Sequence, residues 1–355
     1  MDNTTFFLGA NSAQGFYSLY SDFASRPGDM LHIIKAGPGT GKSTFMRKIG
    51  QAAEERGYEV EYIICSGDPD SLDGVYIPAL GVGFADGTAP HVLDPDFFGV
   101  TGTYLDLGRF CDTNAVRAHG GQIVDVTRRY KAQYAAAYDY LAAAGRVDEV
   151  RGAAFHTPDI LAAVRRRADS AVRREFGTGR KNAPGSVTRR FLSAISCQGL
   201  VFLDDTLSAL CPRVYCLENR CGLADDFLQQ VLSSAVAAGA DAIVCPSPLR
   251  PETLEAVLFP AQGVAFLACA PKQAPENAEL RWVHLDSIPE KTLLRSQRRA
   301  VLDNGKLKTS LLEKACGHLE AAKSLHDLLE TYYRPHLDVQ GLNGFTKDII
   351  LELFS

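Results

Sequence analysis

The segment Ala36-Gly37-Pro38-Gly39-Thr40-Gly41-Lys42-Ser43-Thr44 constrains this chain more than any other stretch. It follows the apolar run Met30-Leu31-His32-Ile33-Ile34 and precedes a helical pattern from Phe45 to Glu55. Strand, glycine loop and helix in that order is the setting a phosphate-binding loop requires. Glycines let backbone N–H groups turn inward onto phosphate oxygens without Cβ clashes, and the helix start adds unpaired N–H donors and the positive end of its dipole. Gly37, Pro38, Gly39, Thr40, Gly41, Lys42, Ser43 and Thr44 are therefore the candidate nucleotide-binding residues. Lys42 is placed to reach the terminal phosphates, and Ser43 to offer a hydroxyl to Mg²⁺. Ala36 stands where the strict motif has its first glycine.

A second feature emerges on comparing the two halves of the chain. Phe7 to Gly15 is similar to Phe191 to Gly199, 184 residues on, and Leu72 to Phe84 is similar to Leu254 to Phe266, 182 residues on. A near-constant lag over two separated blocks indicates a tandem duplication. At a lag of 183 the loop's counterpart runs Asn219 to Asp226, so that Lys42 corresponds to Asp225 and Ser43 to Asp226. Carboxylates in those places repel a triphosphate, and the second half is expected to keep the fold without the nucleotide.

The same comparison selects the acid that orients the metal's waters. Leu200-Val201-Phe202-Leu203-Asp204-Asp205 has the pattern of an apolar strand ending in acids. Its counterpart, Phe16 to Ser21, lies upstream of the loop and is expected to be helical, which sets Asp204 and Asp205 aside. Asp86, closing Val82-Gly83-Phe84-Ala85, is the better candidate, and its counterpart is Ala268. Lys42 and Asp86 are the expected catalytic pair, with Ser43 and Asp86 at the metal.

Alternating strands and helices indicate an α/β fold with a doubly wound, mainly parallel sheet, present twice, each copy with a helical appendage. Strands are expected over 30–35, Val60 to Cys65 and Gly81 to Asp86, a helix over 42–56 closed by Gly57, and a loop from Ser66 to Gly74. The first unit is 1–176, with a core over about 5–112 and an alanine-rich helical appendage over about 113–176. A linker follows over 177–187, with Gly179, Lys181, Pro184 and Gly185. The degenerate copy occupies 188–355, with its own helical stretch over about 290–333.

Composition bounds the partners. The 355 residues are 46% hydrophobic and 22% charged, enough for one large or two medium cores. A formal net charge of −5 argues against nucleic acid as a partner. Nine cysteines occur with no Cys-x-x-Cys pair, and the spacing of Cys211, Cys216 and Cys221 fits no standard zinc site. Reduced thiols, no secretory signal and no long apolar run lead to the expectation of a cytoplasmic protein with no membrane span.

Weaker candidates remain. Asp68, Asp70 or Asp73 could act as a base toward a substrate hydroxyl, and His91 or Asp94 could position water, although turn chemistry explains these residues equally well. Tyr130, Tyr134, Tyr138 and Leu141 have the spacing of a core face. His326, Asp327 and Glu330 have metal-like residue types with no complement in sequence, and are expected at an ordinary surface. Arg165-Arg166-Arg167 and Arg173-Arg174 share one helix, and are expected to form a solvated face rather than a phosphate contact.

Residues 30–95 are similar to the P-loop nucleoside triphosphatases. Through Gly15 to Tyr20, the loop itself, Cys65 to Asp73 and Asp86 to His91, nearly the whole chain resembles a bacterial family of tandem P-loop ATP-binding proteins. Members often carry a loop in both halves, and this chain departs from that at Asp225. The Gly-Pro-Gly-Thr-Gly-Lys-Ser form of the loop is also found in AAA-type ATPases, but here Gly87, not a glutamate, follows Asp86. The resemblance implies binding of ATP with Mg²⁺ and its hydrolysis, acting as an ATPase or ATP-driven switch on a protein or small-molecule partner it does not name. The alternatives are a kinase for a small, nucleoside-like hydroxyl substrate and a nucleotide-sensing scaffold without turnover.

Overall fold

The computed structural model describes residues 3–89, 92–177, 183–270 and 274–355. The first half runs β1 (Thr4–Phe7), β2 (Gly9–Ser12), β3 (Gly15–Ser18), β4 (Met30–Lys35), α1 (Lys42–Glu54), β5 (Glu61–Ile64), β6 (Leu72–Ile77), β7 (Val82–Asp86), β8 (Gly102–Asp106), α2 (Thr113–Arg117), α3 (Gly120–Gly152) and α4 (Pro158–Phe176). The second runs β9 (Val187–Arg189), β10 (Ser193–Ser196), β11 (Gly199–Phe202), α5 (Asp204–Leu210), β12 (Arg213–Leu217), α6 (Ala224–Ala237), β13 (Ala242–Pro246), β14 (Leu254–Phe259), β15 (Val264–Ala268), β16 (Glu279–Val283), α7 (Lys291–Glu330) and α8 (Val339–Leu353).

The fold is α/β and duplicated. One six-stranded sheet has the order β1-β5-β6-β7-β4-β8, and the other has β9-β13-β14-β15-β12-β16, the same order strand for strand. In each sheet a single strand, β6 or β14, runs antiparallel to both neighbours. The expected loop from Ser66 to Gly74 is thus shorter than expected, because β6 begins at Leu72. The six residues from Ser66 to Ser71 are too few for the crossover a parallel return needs, so the chain turns straight back. Phe16 to Ser21 is helical only at its end, where a single 3-10 turn covers Tyr20–Asp22. Gly15 to Ser18 pairs with β2 in a hairpin closed by Ser12, whose Oγ donates to Gly15 O and accepts from Gln14 N–H. Ser196, Gln198 and Gly199 repeat that turn.

The doubly wound arrangement is corrected by the packing. Alternate residues of the second sheet divide cleanly: Tyr215, Leu217, Val257 and Phe266 face the helices α6 and α4, while Val214, Cys216, Ala256 and Leu267 face inward. The inward set joins Phe6, Phe7, Ile63, Tyr76 and Ala85 of the first half in one apolar cluster. Each sheet therefore carries long helices on one face only, and the other faces, with the small hairpins, meet in a shared core.

The last helix of each half lies against the other half. α4 contributes Val164, Ala168, Ala171 and Val172 to the cluster of α6 and the second sheet. α8 sets Leu342, Phe345, Ile349 and Ile350 against Ile34, Phe45 and Phe84 of the first. Between these exchanges α3 and α7 run antiparallel, with Lys308 bonded to Asp148 near one end and the His326 ring tilted against Tyr130, centroids 5.8 Å apart, toward the other. The division of the chain at 176/177 is one of sequence, and packing crosses it in both directions. Residues 178–182, within the expected linker, lie outside the described residues, and β9 begins at its last residue, Val187.

Candidate functional site

β4 ends at Lys35 and α1 begins at Lys42, leaving Ala36 to Gly41 as the loop between them. Gly39 and Gly41 adopt φ of +65° and +87°, in the left-handed region that favours glycine. Gly41 is the residue preceding the helix and has no side-chain cap, so the first turn of α1 offers its N–H groups to the loop's interior. Thr40 Oγ1 donates to Gly37 O at 2.7 Å and holds the turn.

Lys42 and Asp86 come together across β4 and β7, which pair in parallel with Ile34 opposite Asp86. Lys42 Nζ lies 3.5 Å from Asp86 Oδ2 and donates to Gly37 O at 2.9 Å; the two side chains are 13% and 12% exposed. Thr88 anchors the other oxygen, donating from N–H and Oγ1 to Asp86 Oδ1 at 2.9 and 2.6 Å. Ser43 Oγ accepts from Leu72 N–H at 2.9 Å, which ties the first turn of α1 to the start of β6. The candidate residues of the loop, Lys42, Ser43 and Asp86 therefore gather at the C-terminal ends of β4 and β7, two interior strands of the sheet.

Sequence reasoning missed that the second half supplies the wall of this site. A Cβ on Gly37 would lie 3.1 Å from the Tyr333 ring, one on Gly39 2.9 Å from Glu330 Cβ and 3.2 Å from Arg334 Cγ, and one on Gly41 2.9 Å from Leu342. Glu330 and Arg334 are bonded to each other over the loop. His326 and Glu330, expected at an ordinary surface, thus belong to the site. Burial holds the His326 imidazole below its ordinary range; Glu330 and Asp327 oppose that shift, and the charge on Lys42 adds to it.

The remaining candidates disperse. Asp68 pairs with Lys323 of α7 at 3.5 Å, Asp70 accepts from Gln198 Nε2, and Asp73 is buried at the start of β6. Asp94 accepts from Tyr104 Oη on the exposed side of β8. His91 lies outside the described residues. Asp204 and Asp205 begin α5, where Asp204 accepts from Glu276 N–H, away from either loop.

The second loop needs a corrected register. β12 ends opposite Ala268 as Ile34 stands opposite Asp86, a lag of 183 on the strand. Leu254 N–H donates to Asp225 Oδ1 at 2.8 Å, as Leu72 N–H does to Ser43, a lag of 182 on the helix. The second loop is therefore one residue shorter. Lys42 corresponds to Ala224 and Ser43 to Asp225, not to Asp225 and Asp226 as a uniform lag requires. Asp286, nearly buried, accepts from Cys221 N–H at 2.9 Å, Arg220 N–H at 3.3 Å and Arg220 Nε at 2.9 Å. His156, between α3 and α4 of the first half, reaches Asp226 at 3.2 Å. A carboxylate of the chain itself occupies amides of the second loop.

Among the described residues no group of three or more His, Cys, Asp or Glu side chains is arranged to hold a metal ion, and no helix is long and apolar enough to cross a membrane. Comparison with protein-family models, with curated proteins and with solved structures found no match to this chain in any of the three.

Proposed function

We propose that the first half is a P-loop nucleotide-binding unit that takes ATP with Mg²⁺ and acts as an ATPase or ATP-driven switch, and that the second half is its nucleotide-free copy. The observation that carries this reading is Lys42, held between the loop carbonyl of Gly37 and the carboxylate of Asp86 at the mouth of a loop whose two glycines take left-handed conformations. Backbone N–H groups of Gly37 to Thr44 would cradle phosphate, and Lys42 would balance charge on the terminal groups. The donor set fits magnesium, a hard cation that keeps several waters and takes few protein ligands. Ser43 Oγ would be one ligand, and Asp86, oriented by Thr88, would hold its water shell; the ion supplies neutralisation of phosphate charge. Transfer to water is favoured over a small hydroxyl substrate, because Asp68 and Asp70, two of the three candidate bases, are tied to Lys323 and Gln198.

A switch is supported by the wall of the site. Tyr333, Glu330, Arg334 and Leu342 come from the second half, so charge placed in the loop is felt directly by α7 and α8. Calorimetry of ATP with Mg²⁺, together with phosphate release, tests the proposal. One site per chain that disappears in Lys42→Ala supports it. Two sites, or undiminished binding in that variant, overturns it. Binding without phosphate release reduces it to a sensor.

A further inference from the structure

The outer face of α4 carries Arg165, Arg166, Arg167, Arg173 and Arg174, all exposed, while Val164, Ala168, Ala171 and Val172 on the opposite face are buried. Asp169, the acid within this run, turns inward to accept from Gln230 and Ser234. The first three turns of α7 add Lys291, Arg295, Arg298 and Arg299, again exposed, with Leu293, Leu294 and Val301 set against the same apolar cluster that α4 covers. Arg167 donates to His284 O, just ahead of α7, and joins the two stretches.

The duplication provides an internal control. α8 holds the position in the first half that α4 holds in the second, yet its exposed charges are Lys347, Asp348 and Glu352. Leu319 to Ala322 of α7 is similar to Leu141 to Ala144 of α3, 178 residues earlier; at that lag Arg298 and Arg299 correspond to Gly120 and Gly121, while Arg295 corresponds to Arg117. α8 packs against its sheet without a comparable run of cations, so Arg165, Arg166, Arg173 and Arg174 of α4 are not needed to build the fold. They also gather in a chain whose formal net charge is −5. Whole-chain charge argues against nucleic acid; the local distribution reverses that argument.

We propose that the outer face of α4 and the start of α7 form a binding surface for the phosphodiester backbone of nucleic acid. The cations on α4 are all arginine, whose planar fork meets phosphate with two parallel hydrogen bonds. Arg165 to Arg174 spans about 14 Å of helix, over which one strand of a duplex presents about four phosphates. On α4 the run from Arg165 to Arg174 is of one sign with its acid turned inward, which matches a repeating charge; on α7 Arg299 also lies 3.6 Å from Asp303. No large apolar side chain is exposed on α4, as an amphipathic helix entering a membrane surface requires. The surface reads no base, so binding is set by charge.

The test is fluorescence anisotropy of labelled 25-nucleotide RNA, single-stranded DNA and duplex DNA with the full-length protein between about 50 and 200 mM salt. The expected result is binding that weakens steeply with salt. Arg166→Ser/Arg173→Ser should bind at least about tenfold more weakly, with a salt slope shallower by about two. Its thermal melt and ATP calorimetry should match the parent, since neither residue touches the loop. Three outcomes overturn the proposal: no binding by the parent at 50 mM salt, unchanged affinity and slope in the double variant, or polyglutamate or anionic vesicles binding as tightly as nucleic acid. Failure here leaves the ATP reading untouched, because the loop residues are unaltered.

Discussion

Phe7 and Phe191, equivalent residues of the two halves, exchange backbone hydrogen bonds: Phe7 N–H donates to Phe191 O at 3.0 Å and Phe191 N–H to Phe7 O at 2.9 Å. Each is both donor and acceptor to the other, as at the axis of a symmetric dimer. The chain is organised as a two-fold pair of repeats joined in one polypeptide, and the exchange of α4 and α8 follows the same symmetry. The loop ahead of α1 and the loop ahead of α6 consequently each meet residues of the opposite repeat.

Removal of the Lys42 ammonium should weaken ATP at least about tenfold, the effect of losing one charge-assisted contact of about 1.5–3 kcal/mol. Titration calorimetry of Lys42→Ala reads this directly, and an affinity within about twofold of the parent would contradict the assigned role.

Glu330 puts a carboxylate over the loop while Arg334 is bonded to it. Glu330→Gln should raise ATP affinity by a few-fold, about 1 kcal/mol, and Arg334→Ala should lower it by a similar factor, both effects shrinking in high salt. Equal shifts of the same sign in the two variants would show that the wall senses no phosphate charge.

Gly41 combines φ of +87° with a Leu342 methyl 2.9 Å from where a Cβ would stand. Gly41→Ala should cost about 1–2 kcal/mol from the backbone alone, with the clash added. Leu342→Ala in the same chain relieves the clash but not the backbone strain. Denaturant melts of Gly41→Ala, made once in the parent and once in the Leu342→Ala variant, separate the two. A Gly41→Ala cost no smaller in the second background would remove α8 from the loop's support.

Glu255, on β14, accepts from Ser193 Oγ at 2.7 Å, and burial of its carboxyl pushes it up to about 7. The folded state therefore holds this proton more tightly than the unfolded chain does. Its stabilising contribution is present below about pH 4.5 and is lost as pH rises through about 7, by roughly 3 kcal/mol in all. The stability of the parent minus that of Glu255→Gln, from denaturant melts, should fall steadily between pH 4.5 and 7. A difference that is flat across that window would mean the carboxyl titrates normally.

Much of the site was legible because it is local. Gly39, Gly41, Lys42 and Ser43 lie within five residues, and the strand and helix beside them are set by hydrophobic periodicity. Asp86 was reachable through the repeat, since its counterpart Ala268 sits in the same strand. Arg334 and Glu330 were not, because nothing local distinguishes a charged pair on a helix facing water from one facing another repeat. The one-residue shortening of the second loop was also hidden, because a uniform lag absorbs it until the bonds of Ser43 and Asp225 to their strands are compared.

The sequence by itself determined the duplication, the α/β class and the glycine loop between β4 and α1, since each is written in spacing and residue type over short distances. Only the tertiary structure decided which half completes which loop, that the sheets share a core, and that Asp286 takes the amides of the second loop. Those depend on where α4 and α8 find apolar surface to bury, and burial between distant segments is a property of the assembled layers rather than of any one stretch of chain.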